Sequence, residues 1–177
     1  IGMVHQHFML VPNFTVLENV MLGHEGSLSV EAGAQKARSA LNKLSEDFGL
    51  AVDPDMIVEN LPVGLQQRVE ILKALFRGAE ILILDEPTTG VDPLSRRQFW
   101  ELIAGIRRSR PGMSVLVATA YMEEAARFDW LAAMDGGRVL ASDTPQGLLQ
   151  STGADSLEAA FIRLLPEDKR LDYRAVE

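Results

Sequence analysis

The sequence predicts an α/β fold built on a parallel sheet, and three observations lead to this prediction. Four branched apolar residues follow one another in Ile81–Leu84, a pattern typical of a central parallel strand buried on both faces. A second apolar run, Ser114–Thr119, predicts the next strand. Between them, Asp92 and Pro93 supply an N-cap and a first-turn proline for a helix that ends near Arg108. This order of strand, helix and strand is that of a parallel sheet with crossover helices.

The first half of the chain adds one strand and three helices to this sheet. Ile1–Val4 is a short apolar run that predicts a strand. Thr15 and Glu18 have the spacing of a capping box, which marks the start of a helix. Apolar residues recur at helical spacing through Val30–Phe48, and another helix is expected over Gly64–Arg77. We therefore expect a helical insertion between the first strand and the central one.

The second half of the chain predicts smaller elements. A short helix is expected over Tyr121–Phe128. Trp130–Met134 and Arg138–Ala141 flank an Asp-Gly-Gly turn, which is typical of a β-hairpin. Ser156–Leu165 predicts a last helix, and the charged segment from Pro166 onward is expected to be loose.

Composition limits the classes of function. The chain has 177 residues, 47% of them hydrophobic, which suits one globular domain or a domain with a small satellite. Its formal net charge of −8 argues against a general nucleic-acid-coating role, because such proteins carry a basic face. The absence of cysteine excludes a disulfide framework and thiolate metal sites. No apolar run approaches the roughly 20 residues that span a bilayer, so any membrane role is expected to depend on a partner.

The strongest chemical signal is a pair of acids, Asp85 and Glu86, directly after the predicted central strand. Groups at the carboxyl end of such a strand face the ligand crevice of an α/β sheet. An aspartate there can hold Mg²⁺, and a neighbouring carboxylate can orient or deprotonate an attacking water. The alternative is that Asp85 caps a turn and Glu86 is solvated.

With four other segments in the same order, this pair resembles the landmarks of ATP-binding cassette (ABC) ATPases. The resemblance covers nearly the whole chain, and five ordered landmarks are more specific than any one of them. The segments are Val4-His5-Gln6 as the Q-loop, Leu61-Pro62-Val63-Gly64-Leu65-Gln66-Gln67-Arg68 as the signature motif, Ile81–Thr88 as the Walker B strand, Thr89-Gly90-Val91-Asp92 as the D-loop and Thr119–Ala125 as the switch-histidine segment.

The resemblance implies roles for particular residues, with ATP and Mg²⁺ as cofactors. Asp85 and Gln6 would serve the metal, while Glu86 and Gln6 would serve catalysis. The residues implied to contact the nucleotide or the dimer interface are Gly64, Leu65, Gln66 and Asp92. A helix start near Gly64 also attracts anions for a physical reason, since its free N–H groups carry partial positive charge. A plain amphipathic helix start is the alternative there.

Two departures from the family pattern weaken the expected chemistry. In the signature segment, Pro62, Val63 and Leu65 replace the family's serine, a glycine and the glutamine, so backbone donors must carry more of the phosphate contact. Ala120 stands where the family has a histidine that hydrogen-bonds the γ-phosphate and the water. The loss of a positioned donor or base commonly costs ~10²–10⁴ in rate, which predicts slow hydrolysis or none.

The phosphate-cradling loop is absent from the sequence. No segment matches Gly-x-x-x-x-Gly-Lys-Ser/Thr, whose amides and lysine hold the β- and γ-phosphates. In the family this Walker A loop precedes the Q-loop, and the chain opens at the Q-loop. We therefore expect an N-terminally truncated cassette that binds ATP poorly and is inactive by itself. Such a chain could still present its signature motif to a nucleotide held by another subunit.

Different parts of the chain resemble different branches of the family. Residues 1–80 are similar to sugar and nucleoside importer ATPases. Residues 81–177 are similar to the first cassette of the bacterial ribosome-associated ATPase, an exporter-like protein. The change near the Walker B strand suggests a chimera, so the sequence does not give a transported substrate.

The resemblance also implies an architecture. We expect a partial P-loop NTPase (RecA-like) core with a parallel sheet over residues 1–23 and 79–150. The ABC helical subdomain with the signature motif would occupy residues 24–78. Residues 151–177 would form a C-terminal helix and tail.

The function implied is that of an ABC transporter ATPase fragment that couples MgATP binding and hydrolysis to a membrane partner. Its expected partners are a second ABC ATPase domain and a transmembrane permease, with no specific nucleic acid. Its expected location is cytoplasmic, on the inner face of the bacterial plasma membrane. The alternative is a hydrolysis-deficient regulatory cassette or a ribosome-associated one, and a third reading is a fragment that is no functional unit.

Overall fold

The computed structural model describes residues 1–5, 9–23, 30–49 and 52–174. The chain divides into two compact units, Ile1–Ala118 and Thr119–Glu177. Each unit has its own sheet.

The sheet of the first unit has three parallel strands in the order β1, β2, β3. They are β1 (Gly2–Val4), β2 (Ile81–Asp85) and β3 (Ser114–Ala118). Leu84 pairs with Val4 on one side and with Val117 on the other, so all three strands end at the same edge. The predicted parallel sheet with a central Ile81–Leu84 strand is confirmed.

Burial of β2 differs from the prediction. Leu82 and Leu84 are fully buried, but Ile81 is 41% exposed and Ile83 is only half-buried. Leu116, which pairs with Ile83, is 63% exposed. The expectation of burial on both faces is therefore wrong for the described residues, because the core lies on the Leu82 and Leu84 face and the opposite face is open to solvent.

Four α-helices complete the described part of the first unit. They are α1 (Val16–Met21), α2 (Val30–Phe48), α3 (Val63–Phe76) and α4 (Pro93–Ser109), with a short 3-10 turn at Val58–Asn60. The capping box of α1 is present, since the Glu18 N–H donates to Thr15 Oγ1 over 3.2 Å and the Thr15 N–H donates to Glu18 Oε2 over 2.7 Å. Apolar side chains of these helices form one core with the sheet, including Val20, Leu41, Leu72, Leu75, Phe99, Ile103 and Ile106. The predicted helices are confirmed to within a few residues.

The second unit contains the predicted hairpin and four helices among the described residues. The strands β4 (Leu131–Asp135) and β5 (Arg138–Asp143) are antiparallel and are joined through Gly136 and Gly137, both at positive φ. The hairpin is preceded by α5 (Met122–Ala125) and followed by α6 (Pro145–Thr152), α7 (Leu157–Leu164) and α8 (Glu167–Arg174).

Two of these helices were not expected. The charged segment after Pro166 forms α8 rather than a loose tail, and Lys169 Nζ donates to Asp135 Oδ2 over 2.6 Å, which fixes its first turn on the hairpin. Helix α6 has a Thr144 N-cap and a left-handed Gly153 at its end. Those two residues were sequence signals for α6.

Candidate functional site

The two acids lie where β2 ends. Asp85 is the last residue of the strand and pairs with Ala118 of β3. The backbone N–H of Glu86 donates to the Ala118 carbonyl over 2.9 Å, which continues the ladder one residue further. Both acids are half-buried. They therefore leave the sheet together at its carboxyl edge, as the sequence predicted.

Glu86 occupies an uncommon backbone conformation. Its φ is 43°, in the left-handed region that residues with a side chain seldom adopt. The turn that follows is tied back to it, because the Thr89 N–H donates to the Glu86 carbonyl over 3.2 Å and Thr89 Oγ1 donates to Glu86 Oε2 over 3.1 Å. Pro87 and Thr88, the residues inside this turn, are buried. Glu86 thus has a fixed backbone, and its carboxylate accepts a hydrogen bond from the Thr89 hydroxyl.

The predicted signature segment begins α3. Pro62 is its N-cap residue and provides no side-chain hydrogen bond to the free N–H groups of the first turn. A Cβ placed on Gly64 would approach nothing closer than 4.0 Å, where Ser95 lies, so glycine is not required there by crowding within the chain. This helix start therefore presents an accessible backbone with the partial positive charge of a helix N-terminus.

The neighbours of Gly64 are turned toward their own chain. Leu65 packs partly against the hydrophobic core. Gln66 Nε2 donates to the Leu61 carbonyl over 2.8 Å, closing the start of the helix on itself. Their expected contact with nucleotide remains a prediction.

Asp92 caps α4. Its Oδ1 accepts from the N–H groups of Leu94 and Ser95, each over 3.0 Å. Hydrogen bonding from the Ser95 side chain, helped by these backbone donors, holds the pKa of the exposed Asp92 carboxyl below its ordinary value. The residue is therefore an ionised N-cap at neutral pH, and its expected role at a dimer interface remains a prediction.

The glutamine proposed for metal and catalysis, Gln6, lies outside the described residues, as do His7 and Phe8. The strand before it is described, and Val4 ends β1 beside Leu84 of β2. At Met9, the next described residue, the backbone carbonyl accepts from Lys73 Nζ of α3 over 2.8 Å. Lys73 also pairs with the buried carboxylate of Glu70 at 3.4 Å.

Ala120 is exposed and belongs to the second unit. Its neighbour Thr119 donates from Oγ1 to Glu124 Oε2 over 2.8 Å and accepts from the Tyr121 N–H over 3.1 Å. The methyl group of Ala120 has no atom that could hydrogen-bond a phosphate or a water.

One buried contact at the site was not anticipated. The side chain of Gln67 is 2% exposed, and its Nε2 donates to the Pro87 carbonyl in the turn after Glu86. Gln67 lies inside the segment compared with the signature motif, but its position between Gln66 and Arg68 gives no sign of which glutamine turns inward. Only the packing of α3 against the turn distinguishes them.

The donors present fit a phosphate-bound magnesium rather than a protein-enclosed metal. Among the described residues, no three His, Asp or Glu side chains cluster in a way that could hold a metal ion. Mg²⁺ bound with nucleotide usually takes one or two carboxylates and completes its shell with phosphate oxygens and water. Asp85 at the strand end suits that arrangement.

No helix within the described ranges combines the length and apolar character needed to cross a bilayer.

Comparison with known proteins places these features in one family. Residues 1–89, half of the chain, match the family described as ABC transporter. The nucleoside import ATP-binding protein NupA of Lactococcus lactis is 44% identical over 70% of this chain and 24% of its own length. The multidrug ABC transporter ATP-binding protein YbhF of Escherichia coli, described as probable, is 35% identical over 93% of this chain and 28% of its own length. The chain thus spans about a quarter of these relatives.

Solved structures agree with the sequence relatives. The ATP-binding cassette MJ0796, in a dimeric post-hydrolysis state bound to ADP and Pi, aligns with a TM-score of 0.62 at 26% identity, covering 81% of this chain and 62% of that one. An ATP-binding subunit of an ABC transporter aligns with a TM-score of 0.70 at 22% identity over 92% of this chain and 68% of that one, which shows the same fold. The predicted α/β architecture of the P-loop NTPase class is confirmed. With its parallel sheet, its paired acids and these matches, the chain belongs to the ABC transporter family.

Proposed function

We propose that this chain supplies the hydrolytic carboxylate and the signature helix of an ABC cassette that binds MgATP and hydrolyses it. The observation that carries the proposal is the pair of acids at the carboxyl edge of the sheet. Asp85 ends the central strand, and Glu86 is held in a left-handed turn directly after it. A ligand crevice is expected at this edge in a parallel α/β sheet.

The two acids have separate tasks in this proposal. Asp85 would hold Mg²⁺, which neutralises charge on the phosphate oxygens when it is bound with ATP. Glu86 would orient the attacking water and accept its proton through a carboxylate oxygen. Gln6, which follows β1 by two residues in the sequence, would assist both the metal and the water.

The signature helix would contact nucleotide bound to a second cassette. Its uncapped start near Gly64 would receive the terminal phosphate of a nucleotide bound to a second cassette, with Leu65, Gln66 and Asp92 nearby on the dimer interface. The sequence contains no Gly-x-x-x-x-Gly-Lys-Ser/Thr loop, so the proposal for this chain rests on the signature helix and the paired acids. A dimer around ATP is supported by the dimeric state of the cassette MJ0796.

The partner in the membrane would be a permease, which would place the protein at the inner face of the bacterial plasma membrane. The relatives include a nucleoside importer, a probable multidrug transporter and a Nod factor exporter. These names differ too widely to assign a substrate.

Hydrolysis by the full-length product of the gene tests the role of Glu86. Glu86→Gln keeps the shape of the side chain but removes the base, so kcat should fall by ~10²–10⁴ while ATP binding persists. Glu80→Gln is the matched control, because Glu80 is an exposed acid directly before the same strand. Equal kcat values for Glu86→Gln and Glu80→Gln would refute the assignment.

The second candidate is a cassette that binds nucleotide without turnover and acts as a regulator or docks on a ribosome. Ala120, which has no hydrogen-bonding side chain, favours it. Phosphate release by wild type and by Ala120→His separates the two. A large gain in Ala120→His would show that the missing histidine limits hydrolysis and would favour the non-hydrolysing candidate for the wild type.

A further inference from the structure

We propose that Gln67 is a positioning residue for Glu86: by donating from Nε2 to the Pro87 carbonyl, it holds the turn that aims the Glu86 carboxylate. This inference rests on the proposed role of Glu86 as the hydrolytic base. It assigns to a side chain of the signature helix a task within its own subunit. That task is separate from any contact the helix makes with a nucleotide.

The hydrogen bond between Gln67 and Pro87 joins two distant parts of the chain inside the protein. Gln67 and Pro87 are 20 residues apart in sequence, and both are buried. A buried carboxamide that lost its acceptor would be left unsatisfied, and the Pro87 carbonyl would lose its donor. The two groups therefore stabilise each other only while the start of α3 and the turn stay in contact.

The backbone of Glu86 shows why such a link is needed. A left-handed φ at a residue with a side chain is maintained only when the surroundings fix it. The Ala118 carbonyl fixes the turn from one side through the Glu86 N–H. Gln67 fixes it from the helix side at the next residue. A small displacement of Pro87 would rotate Glu86 directly, since the two share a peptide bond.

The same helix also reaches the segment after Gln6. Gln67 lies one turn after Gly64, and Lys73 lies nearly two turns further along and donates to the Met9 carbonyl. Helix α3 therefore joins the turn after Glu86 and the chain after Gln6 through buried or half-buried side chains. The position of Glu86 depends on where this helix sits.

Kinetics of the full-length gene product test the proposal. Gln67→Met keeps side-chain length and removes the donor, so kcat should fall by about 10- to 100-fold, as expected for a misplaced catalytic group, with KM for ATP unchanged. The matched control is Ile71→Val, which removes one methyl group from a buried side chain one turn further along the same helix. It should lower Tm without lowering kcat. A wild-type kcat in Gln67→Met would overturn the proposal.

Amide hydrogen exchange gives a readout that does not depend on hydrolysis. The backbone amides of Glu86 and Thr89 are both hydrogen-bonded in the turn. They should exchange faster than in wild type in Gln67→Met, and at the wild-type rate in Ile71→Val. If Gln67→Met does not fold, Gln67→Asn, whose amide is one methylene shorter, replaces it and should show the same effects. Unchanged exchange would show that Gln67 does not hold the turn. A wild-type kcat in Glu86→Gln, by contrast, would refute the proposed function and leave the exchange result to decide the role of Gln67.

Discussion

Single residues at the edge of the sheet carry most of the functional argument. Glu86 adopts a left-handed backbone that costs on the order of 1–3 kcal/mol for a residue with a side chain. Such strain persists at functional sites because the surrounding structure fixes it. The hydrogen bond from the Glu86 N–H to the Ala118 carbonyl and the one from Gln67 to the Pro87 carbonyl provide that support here. A glycine would relieve the strain, but it would also remove the carboxylate.

Sequence alone predicted the acids but not their support. Asp85 and Glu86 were predicted because four apolar residues precede them, a local pattern that can be recognised in a single sequence. The inward orientation of Gln67 and the left-handed φ of Glu86 were not predictable. Both depend on how α3 packs against a turn 20 residues away, and no local pattern encodes that contact.

Acid titration should reveal the cap of α4. The pKa of Asp92 is lowered in the folded chain, so its stabilising effect is fully present above the ordinary aspartate pKa of about 4 and is lost as pH falls through the lower folded value. Asn is also a good N-cap and does not titrate. The free energy of unfolding of wild type should therefore fall more between pH 6 and pH 3 than that of Asp92→Asn, as measured by urea denaturation.

Asp155→Asn provides the control for that titration, because Asp155 is an exposed acid that precedes an N-cap rather than forming one. It should follow the wild-type pH dependence closely. Parallel pH profiles for wild type and Asp92→Asn would contradict the assigned cap.

At the scale of elements, close packing of β1 on α3 sets the geometry of the sheet. A Cβ on Gly2 would lie 2.5 Å from the Ala74 Cβ and 3.1 Å from the Ala79 Cβ. The strand can therefore approach the helix only because residue 2 has no side chain. This contact therefore sets how closely β1 lies to α3, the helix that begins at the predicted signature segment.

Substitution of Gly2 should be costly. Gly2→Ala would force the strand away from the helix, and overpacking of this kind typically costs about 1–3 kcal/mol in the free energy of unfolding. Chemical denaturation measures this loss. Gly112→Ala is the matched control, because a Cβ there meets nothing within 4 Å.

A double substitution identifies the clash as the cause. Ala74→Gly alone should cost about 1 kcal/mol, since glycine disfavours the helix interior. Combined with Gly2→Ala, it should restore part of the lost stability instead of adding to the loss. Strict additivity of the two effects would show that the strand and helix do not meet there.

Elements with local signals were the ones that the sequence predicted well. The capping box at Thr15, the Asp92-Pro93 start of α4 and the glycines of the hairpin each specify a local backbone shape. Burial of β2 was predicted less well, because an apolar run does not tell whether one face or two will be covered. Helix α8 contacts the hairpin through a long-range pair between Lys169 and Asp135, which has no local signal in the sequence.

For the whole molecule, the proposed function requires contacts between protein chains. The described part of the chain presents an uncapped signature helix and paired acids, and the sequence contains no phosphate-cradling loop. Under the proposed function, two copies of the cassette would close around ATP and reopen after hydrolysis. If Glu86 is the base, removal of its charge should trap the closed dimer.

Nucleotide-dependent association of the full-length gene product is the most direct measurement. Light scattering coupled to size-exclusion chromatography should find Glu86→Gln as a dimer in saturating MgATP and as a monomer in MgADP. The control variant Glu80→Gln should be a monomer in MgADP and also in MgATP once it has hydrolysed the nucleotide. A Glu86→Gln protein that binds MgATP yet remains monomeric would contradict the account.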